Sequence, residues 1–388
     1  MFVLEEVEQS GAKIKVIGVG GCGCNAVNNM IDSNIKGVDF LACNTDSQTL
    51  KKSLSANRVQ IGSKLLKGMG AGGNPETGKS AAGESEEEIR EALKGADMVF
   101  IATGLGGGTG TGASPIVAKI AREMGALTVA VATKPFEFEG PRKMKLALSG
   151  EKDLSENVDA IITIPNNRLL GLDAKGVPIM EAFKKSDEIL TNAVKGISDL
   201  INTTGVVNVD FNDVKTVMCE KGKALMGIGS ASGENRAAEA ANMAISSPLL
   251  EDVDISGAKG ILLNITGDQS VTIREINEAS KIIQAYAHED ANIIWGFVVD
   301  EDLADEFNLM VIATGYANKT AIRMKDEKEN DNVRVFPQPR VIDYNTPTYI
   351  RNKEKKEKEV IKMGMVIDDT MVDMEAYNIP TFLRKKAD

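Results

Sequence analysis

The chain has 388 residues, enough for two domains with complete cores, and carries a formal charge of −11. That acidity argues against a nucleic-acid binder, no apolar run reaches the ~18–20 residues of a membrane span, and the acidic first ten residues do not read as a signal peptide. The four cysteines (Cys22, Cys24, Cys43, Cys219) lack zinc spacing and are too few for a disulfide framework, so reduced thiols in a cytoplasm are expected.

From Lys13 onward, apolar strands alternate with helical segments. Lys13–Gly20 reads as a strand, Asn25–Ser33 as a helix, and Val38–Asn44 and Arg58–Ile61 as strands. Glu84–Lys94 follows as a helix, Asp97–Thr103 as a strand and Pro115–Met124 as a helix. Leu127–Thr133 and Asp159–Ile164 are strands, with a helix around Lys143–Leu148 between them. Such alternation predicts a mainly parallel sheet covered on both faces. A long amphipathic segment, Val177–Asn202, carries Ile179, Phe183, Leu190, Val194, Ile197 and Ile201 near helical spacing. Beyond it lie strands at Gly260–Thr266, Ile293–Val299 and Met310–Thr314 and a helix at Arg274–Ala287. Lys319–Lys362 is rich in charged residues, Asn and Pro and is expected to be disordered. Apolar residues return at the end, Tyr377 to Lys386, as in a short partner-binding peptide or a frayed terminus.

The richest local signal is Gly104–Gly112, with six glycines and two threonines between a strand and a helix. Backbone N–H groups and the positive helix end would face an anion there, with Thr109 and Thr111 adding hydroxyl donors. Gly18–Gly23 fits the dinucleotide fingerprint, with Asp39 and Asp46 as following acids, so a nicotinamide-dependent oxidoreductase is the competing reading. Two strand-end glycine loops suit a nucleotide with several phosphates better than a dinucleotide. Gly73–Ser80 matches the P-loop expression, but no buried strand precedes it, and Pro75 and Glu76 would put a missing donor and a negative charge inside the cradle. With so acidic a chain, phosphate binding would rest on backbone dipoles and Mg²⁺ rather than clustered lysines.

Gly106–Gly112 resembles the signature loop of the tubulin/FtsZ family of polymerising GTPases. Gly20–Asn25, Asn44-Thr45-Asp46, Gly70–Pro75, Thr133–Phe136, Ile164-Pro165-Asn166 and Asn208–Asp213 resemble the other loops of the family's cell-division branch, in its order. The resemblance implies an α/β, tubulin-like fold. An extension (1–12) would precede a parallel Rossmann-like GTPase domain (13–176), a central helix (177–203) and a smaller α+β domain (204–317). A disordered linker (318–376) and a tail peptide (377–388) would follow.

Position by position, the resemblance implies GTP/GDP with Mg²⁺. Phosphates would lie against Gly20, Gly21, Cys22, Gly23, Cys24 and Asn25, against Ala71, Gly72 and Gly73, and against Gly106, Gly107, Gly108, Thr109 and Gly110. Asp46, Thr133, Pro135 and Lys143 would line the pocket, and Glu139 and Asn166 would sit near the ribose. Phe183 and Asp187, four apart on one helix face, would stack on the purine and accept guanine N1–H and N2–H, with Asn25 assisting. Asn208, Asp210 and Asp213 would act in trans on the next subunit's γ-phosphate; by pattern alone Asp210 and Asp213 read equally as helix caps. The partners implied are further copies of the chain, head to tail. Ile379, Pro380, Phe382, Leu383 and Arg384 would bind a FtsA-type membrane anchor at a mid-cell division site. The family usually has arginine where Lys143 stands, with Arg142 just before it as a stand-in. Cys22 and Cys24 replace small residues, which makes oxidation-sensitive nucleotide binding an expectation. Asn378 stands where an acid is common.

Overall fold

The computed structural model describes residues 11–169, 178–202, 207, 209–219, 222–247, 249 and 257–315, with backbone only at 222 and 302. The first half runs β1 (Ile14–Val19), α1 (Gly20–Asp32), β2 (Val38–Asn44), α2 (Ser47–Lys52), β3 (Asn57–Gln60), α3 (Ser63–Leu66), α4 (Pro75–Glu84) and α5 (Glu86–Leu93). It continues through β4 (Met98–Gly104), α6 (Thr109–Glu123), β5 (Leu127–Lys134), a 3-10 turn (Glu137–Glu139), α7 (Pro141–Asn157), β6 (Ala160–Pro165) and α8 (Asn166–Leu169). A 24-residue helix, α9 (Ile179–Asn202), leads to α10 (Phe211–Met218), β7 (Gly222–Ser232) and α11 (Arg236–Ile245). The rest is β8 (Gly260–Gly267), α12 (Ile273–Gln284), β9 (Asn292–Val299) and β10 (Glu306–Thr314).

The described strands form one sheet in the order β3-β2-β1-β4-β5-β6-β7-β10-β8-β9. β1 to β6 are parallel to their neighbours, and β10 runs antiparallel between β7 and β8. Strand β4 is buried on both faces, as its unbroken Met-Val-Phe-Ile-Ala run requires. One core lies between the sheet and α1, α9 and α10, a second beneath α4 to α7, and a third between α11, α12 and strands β8 to β10. Leu190, Val194 and Ile197 of α9 share their core with Val129 of β5 and with Leu262 and Met310 of β8 and β10, so the long helix joins the halves by burial. Its first turn differs from the expected stripe: Ile179 and Phe183 are 58% and 39% exposed.

Several helices depart from their expected bounds, and glycine is the common reason. α1 begins at Gly20 and α6 at Thr109, so part of each presumed loop is already helix, and Pro115 lies inside α6 rather than in its first turn. Glycine's low helix propensity hides such turns in sequence, while close packing makes glycine necessary: a Cβ on Gly112 would run into the Pro75 carbonyl. Helix α7 extends well past Leu148 because Gly150 fits against Thr111 and Glu151 finds buried partners. Strand β7 is built of small residues that lack the β-branched signal. It is held by pairing with β10, and Gly229 lets α11 lie flat on it.

The seam between the halves is narrow: β6 meets β7 over only Ala160↔Gly222, Ile161↔Lys223 and Ile162↔Ala224. Glu151, 4% exposed, spans it. Its carboxylate accepts from Lys134 Nζ of β5 at 2.9 Å, Lys223 Nζ of β7 at 2.8 Å and the Thr163 hydroxyl of β6 at 3.2 Å. Burial alone pushes this carboxyl up, but the bonds from Lys223 and Lys134 outweigh it and hold the group below its usual range. Its stabilisation is therefore complete above the ordinary carboxylate value and lost as pH falls through the lower folded value. Glu151→Gln should cost about 3 kcal/mol in urea unfolding at pH 7, the low end for breaking a buried pair because Lys223 keeps contact with water. The difference from wild type should shrink below pH 4.

Candidate functional site

Parallel pairing fixes where the glycines meet. β1 and β4 are neighbours in register Ile14↔Met98 to Val19↔Thr103, so the turns after both strands emerge together at the carboxyl edge. Gly20 has φ 77°, and a Cβ there would sit 2.8 Å from Gly110 N. A Cβ on Gly108 would sit 2.9 Å from both Ala71 Cβ and Asn74 N. The three expected loops thus touch backbone to backbone. On their other side lies open space: Cβ atoms on Gly21, Gly72, Gly73 and Gly107 would meet nothing within 4 Å. Helices α1 and α6 start at this hollow, so free N–H groups and two positive dipole ends converge on it.

The threonines divide their work. Thr109 Oγ1 is 2.7 Å from Thr45 Oγ1, on the rim, whereas Thr111 is buried and its hydroxyl accepts from Gly106 N at 2.8 Å. Thr111 fastens the loop and is no donor to a ligand. Asp46 has a structural duty as well: its carboxylate caps α2, accepting from Gln48 N at 2.9 Å and the Thr49 hydroxyl at 2.7 Å. Asp39 lies opposite Lys15 in the β1–β2 register, toward the other edge of the sheet. Neither acid is placed for a dinucleotide's ribose. The P-loop look-alike straddles the Asn74 cap and first turns of α4, and α3 rather than a strand precedes it.

Beside the hollow, the end of β5 brings Thr133 under Cys22, with Sγ 3.7 Å from Oγ1, and Pro135 against Gly106. Glu139 Oε1 accepts from Phe136 N at 2.9 Å and Oε2 from Lys143 Nζ at 3.0 Å, so glutamate and lysine form one unit with α7's first turn; Arg142 is exposed. Asn166 is buried and accepts from the Ser186 hydroxyl at 2.9 Å, which ties α8 to α9 and sets where α9 starts. Phe183 meets Phe136 edge-on at 5.3 Å and Phe138 at 6.5 Å; sequence reasoning overlooked this cluster, though Phe136-Glu137-Phe138 was visible. One turn on, Asp187 Oδ2 accepts from Asn29 Nδ2 at 3.2 Å, while the expected helper, Asn25, is exposed on the preceding turn of α1. Burial, opposed by the Asn29 bond, pushes the Asp187 carboxyl up to about 6. A raised carboxyl favours folding at low pH, so this group costs the empty protein stability as pH climbs from about 4 to 6.

The remaining expected residues lie elsewhere. Asp210 caps α10, accepting from Asn212 N at 3.2 Å, and Asp213 lies in its first turn, both exposed. Helix α9 leaves the carboxyl edge at Ser186 and reaches the start of β2, where Asn202 Nδ2 donates to Gly37 O at 2.7 Å. From Asp187 to Asn202 is about 22 Å along the axis. Helix α10 follows and ends at the same far edge, where Val217 O accepts from the Thr314 hydroxyl at 2.8 Å. The acidic pair therefore lies beyond the full length of α9 from the residues beside the glycine hollow. Asn208, Ile379, Pro380, Phe382, Leu383 and Arg384 lie outside the described residues.

A backbone-walled hollow beside an aromatic and an acid suits a purine nucleotide, and a sheet crossed by one long helix is tubulin-like; the class is that of tubulin-like nucleotide-binding proteins. The model of the Tubulin/FtsZ family GTPase domain matches residues 13–173, and that of the FtsZ family C-terminal domain matches residues 222–317. The cell division protein FtsZ of Coxiella burnetii (strain RSA 493 / Nine Mile phase I) is 46% identical over 392 residues, 99% of each chain. Among solved structures, the empty FtsZ dimer of M. jannaschii matches with a TM-score of 0.77 and 46% identity, covering 80% of this chain and 90% of that one. CetZ1 from Haloferax volcanii, solved as a GDP-bound monomer, shares the fold at TM-score 0.69 and 21% identity, covering 81% and 100%. The chain belongs to the FtsZ family of the tubulin-like GTPases: it is a GTPase and a GTP-dependent cytoskeletal protein of cell division.

The cysteines do not behave as expected. Burial first, and then the field of Asp187, pushes the Cys22 thiol up to about 12; burial does the same for Cys24, whose Sγ points back to Gly18 O and Cys43 O. Neutral thiols react slowly with oxidants, so these surroundings count against the redox-sensitive reading. Mass spectrometry after brief iodoacetamide treatment at pH 8 should find label on exposed Cys219 and not on Cys22 or Cys24. The glycines offer a sharper contrast. Gly107→Ala should change stability by less than about 0.5 kcal/mol yet weaken GDP binding at least tenfold, whereas Gly112→Ala should cost about 2 kcal/mol or more by forcing α4 off α6. Thermal unfolding with and without GDP checks both.

Proposed function

We propose that copies of this chain assemble head to tail into the filaments of a division ring, and that GTP is hydrolysed only where two of them meet. One subunit holds the phosphates in its glycine hollow, the ribose beside Glu139–Lys143 and guanine between Phe183 and Asp187. Adenine offers no pair of donors to a carboxylate, which favours GTP over ATP. The next subunit brings Asn208, Asp210 and Asp213 to the γ-phosphate, where the carboxylates orient the attacking water. The observation that carries this reading is the distance within one chain: α9 separates the acidic pair from the hollow, so the two can work together only between molecules. A contact joining opposite ends does not close on itself and generates a filament. Capping α10 and serving the neighbour are compatible duties for Asp210, since one oxygen suffices for the cap.

Mg²⁺ would come with the nucleotide. Among the described residues no three acidic, Cys or His side chains converge on a metal position, so phosphate oxygens and water would hold the ion, which neutralises phosphate charge. The division of the chain at about 176, 203 and 317, the tail's binding of a FtsA-type anchor and a cytoplasmic, mid-cell location belong to the same proposal. No described helix is long and apolar enough to cross a membrane, so an anchor reached through the tail would supply the tether.

GTPase turnover per molecule should rise with protein concentration in step with sedimentable polymer. Asp213→Asn, which leaves the Asp210 cap intact, should bind GDP as wild type does and lose about 100-fold in hydrolysis. Mixed with wild type it should co-assemble and lower the specific activity. Equal turnover per molecule in dilute monomer and concentrated protein would end this reading.

A further inference from the structure

Guanine makes two demands on Asp187: the carboxylate must be ionised, and its plane must be turned so that both oxygens face the purine edge. Its surroundings oppose the first demand. The group is half-buried on α9, and Glu188 beside it adds a like charge. The nearby cations are engaged: Lys184 Nζ lies 3.6 Å from Glu188 and Lys143 Nζ 3.0 Å from Glu139. From α1, Cys22 shares the field of Asp187 and of Glu139 but stays a neutral thiol. Among these groups, the one acting for the ionised form is Asn29, whose Nδ2 donates to Asp187 Oδ2 at 3.2 Å. Asn29 is one turn beyond Asn25 on α1, a helix packed against α9, so its amide reaches the carboxylate from the side of the phosphate loops.

We propose that Asn29 is a positioning residue for base recognition: its amide keeps Asp187 ionised and oriented, and the preference for guanine over hypoxanthine depends on it. An amide suits this duty because it donates without adding charge. One hydrogen goes to Oδ2, whose second lone pair, together with Oδ1, remains for N1–H and N2–H. A protonated Asp187 would have one oxygen turned donor and could no longer accept both. The proposal rests on the nucleotide site described above and adds to it a residue that does not itself touch the reacting atoms.

The test is calorimetric titration of the full-length chain with GDP and with inosine diphosphate, which lacks the N2 amino group, from pH 5.5 to 8.5. Wild-type affinity for GDP should fall as pH drops through about 6. In Asn29→Ala the carboxyl loses its hydrogen bond and its titration moves up, so the fall should begin about one pH unit higher, a roughly fivefold loss of GDP affinity near pH 6 that is largely restored at pH 8.5. The preference for GDP over inosine diphosphate should shrink in parallel. Thermal unfolding at both pH values reports whether the variant is folded, and restoration at high pH is a response that a merely structural defect would not give. A profile for Asn29→Ala that overlays wild type, or an equal loss at every pH, overturns the proposal. Asp187→Ala separates the two levels. If it keeps the preference for GDP, the base site itself is misassigned; if it loses that preference while Asn29→Ala behaves as wild type, only the role of Asn29 fails.

Discussion

Backbone touching backbone is the constraint on which the rest depends. Gly20 against Gly110, and Gly108 against Asn74, bring three turns from separate parts of the chain closer than any side chain would allow. The contact arises because β1 and β4 are parallel neighbours ending at the same level, and it leaves the opposite side of the turns empty and lined with N–H groups. A protein carrying a charge of −11 can hold a polyphosphate on these terms, since fixed dipoles attract the anion without a cluster of lysines. The same tight contact sets the path of the helices, because α4 lies across α6 only where Gly78 and Gly112 permit it.

Beside the hollow, the proposed purine pocket depends on a second kind of constraint, the direction of α9. Asn166, buried at the end of β6, receives the Ser186 hydroxyl and so fixes the first turns of α9 against the sheet edge. That places Phe183 in an aromatic corner and Asp187 over α1, where burial and Asn29 pull its ionisation in opposite directions. The surroundings of the Asp187 carboxylate are thus contributed jointly by α1 and the long helix.

α9 also makes the molecule two-ended. It begins beside the nucleotide pocket and finishes at the far edge, and the residues after it form the acidic first turn of α10. Its inward face shares one core with both halves, while the sheet joining those halves is only three residue pairs wide at β6–β7. Glu151 reinforces that seam with two lysines from different strands.

The strands were legible because parallel, doubly buried strands must be continuously apolar; β2 was read at its observed bounds and β4 within a residue. The glycine loops, the long helix and the placing of Phe183 and Asp187 one turn apart on it were legible too, since spacing along a helix is a local property. What the sequence could not determine was which partners each side chain would meet. Asp46 looks like a ribose ligand until α2 folds onto it, Thr111 like a phosphate donor until Gly106 turns back to it, and Cys22 like a redox site until burial neutralises it. Asn29 and Glu151 carry no local signal at all, because each meets its partners from far away in the chain. Periodicity and composition are written residue by residue, whereas burial and hydrogen-bond partnership exist only once distant segments have been packed together.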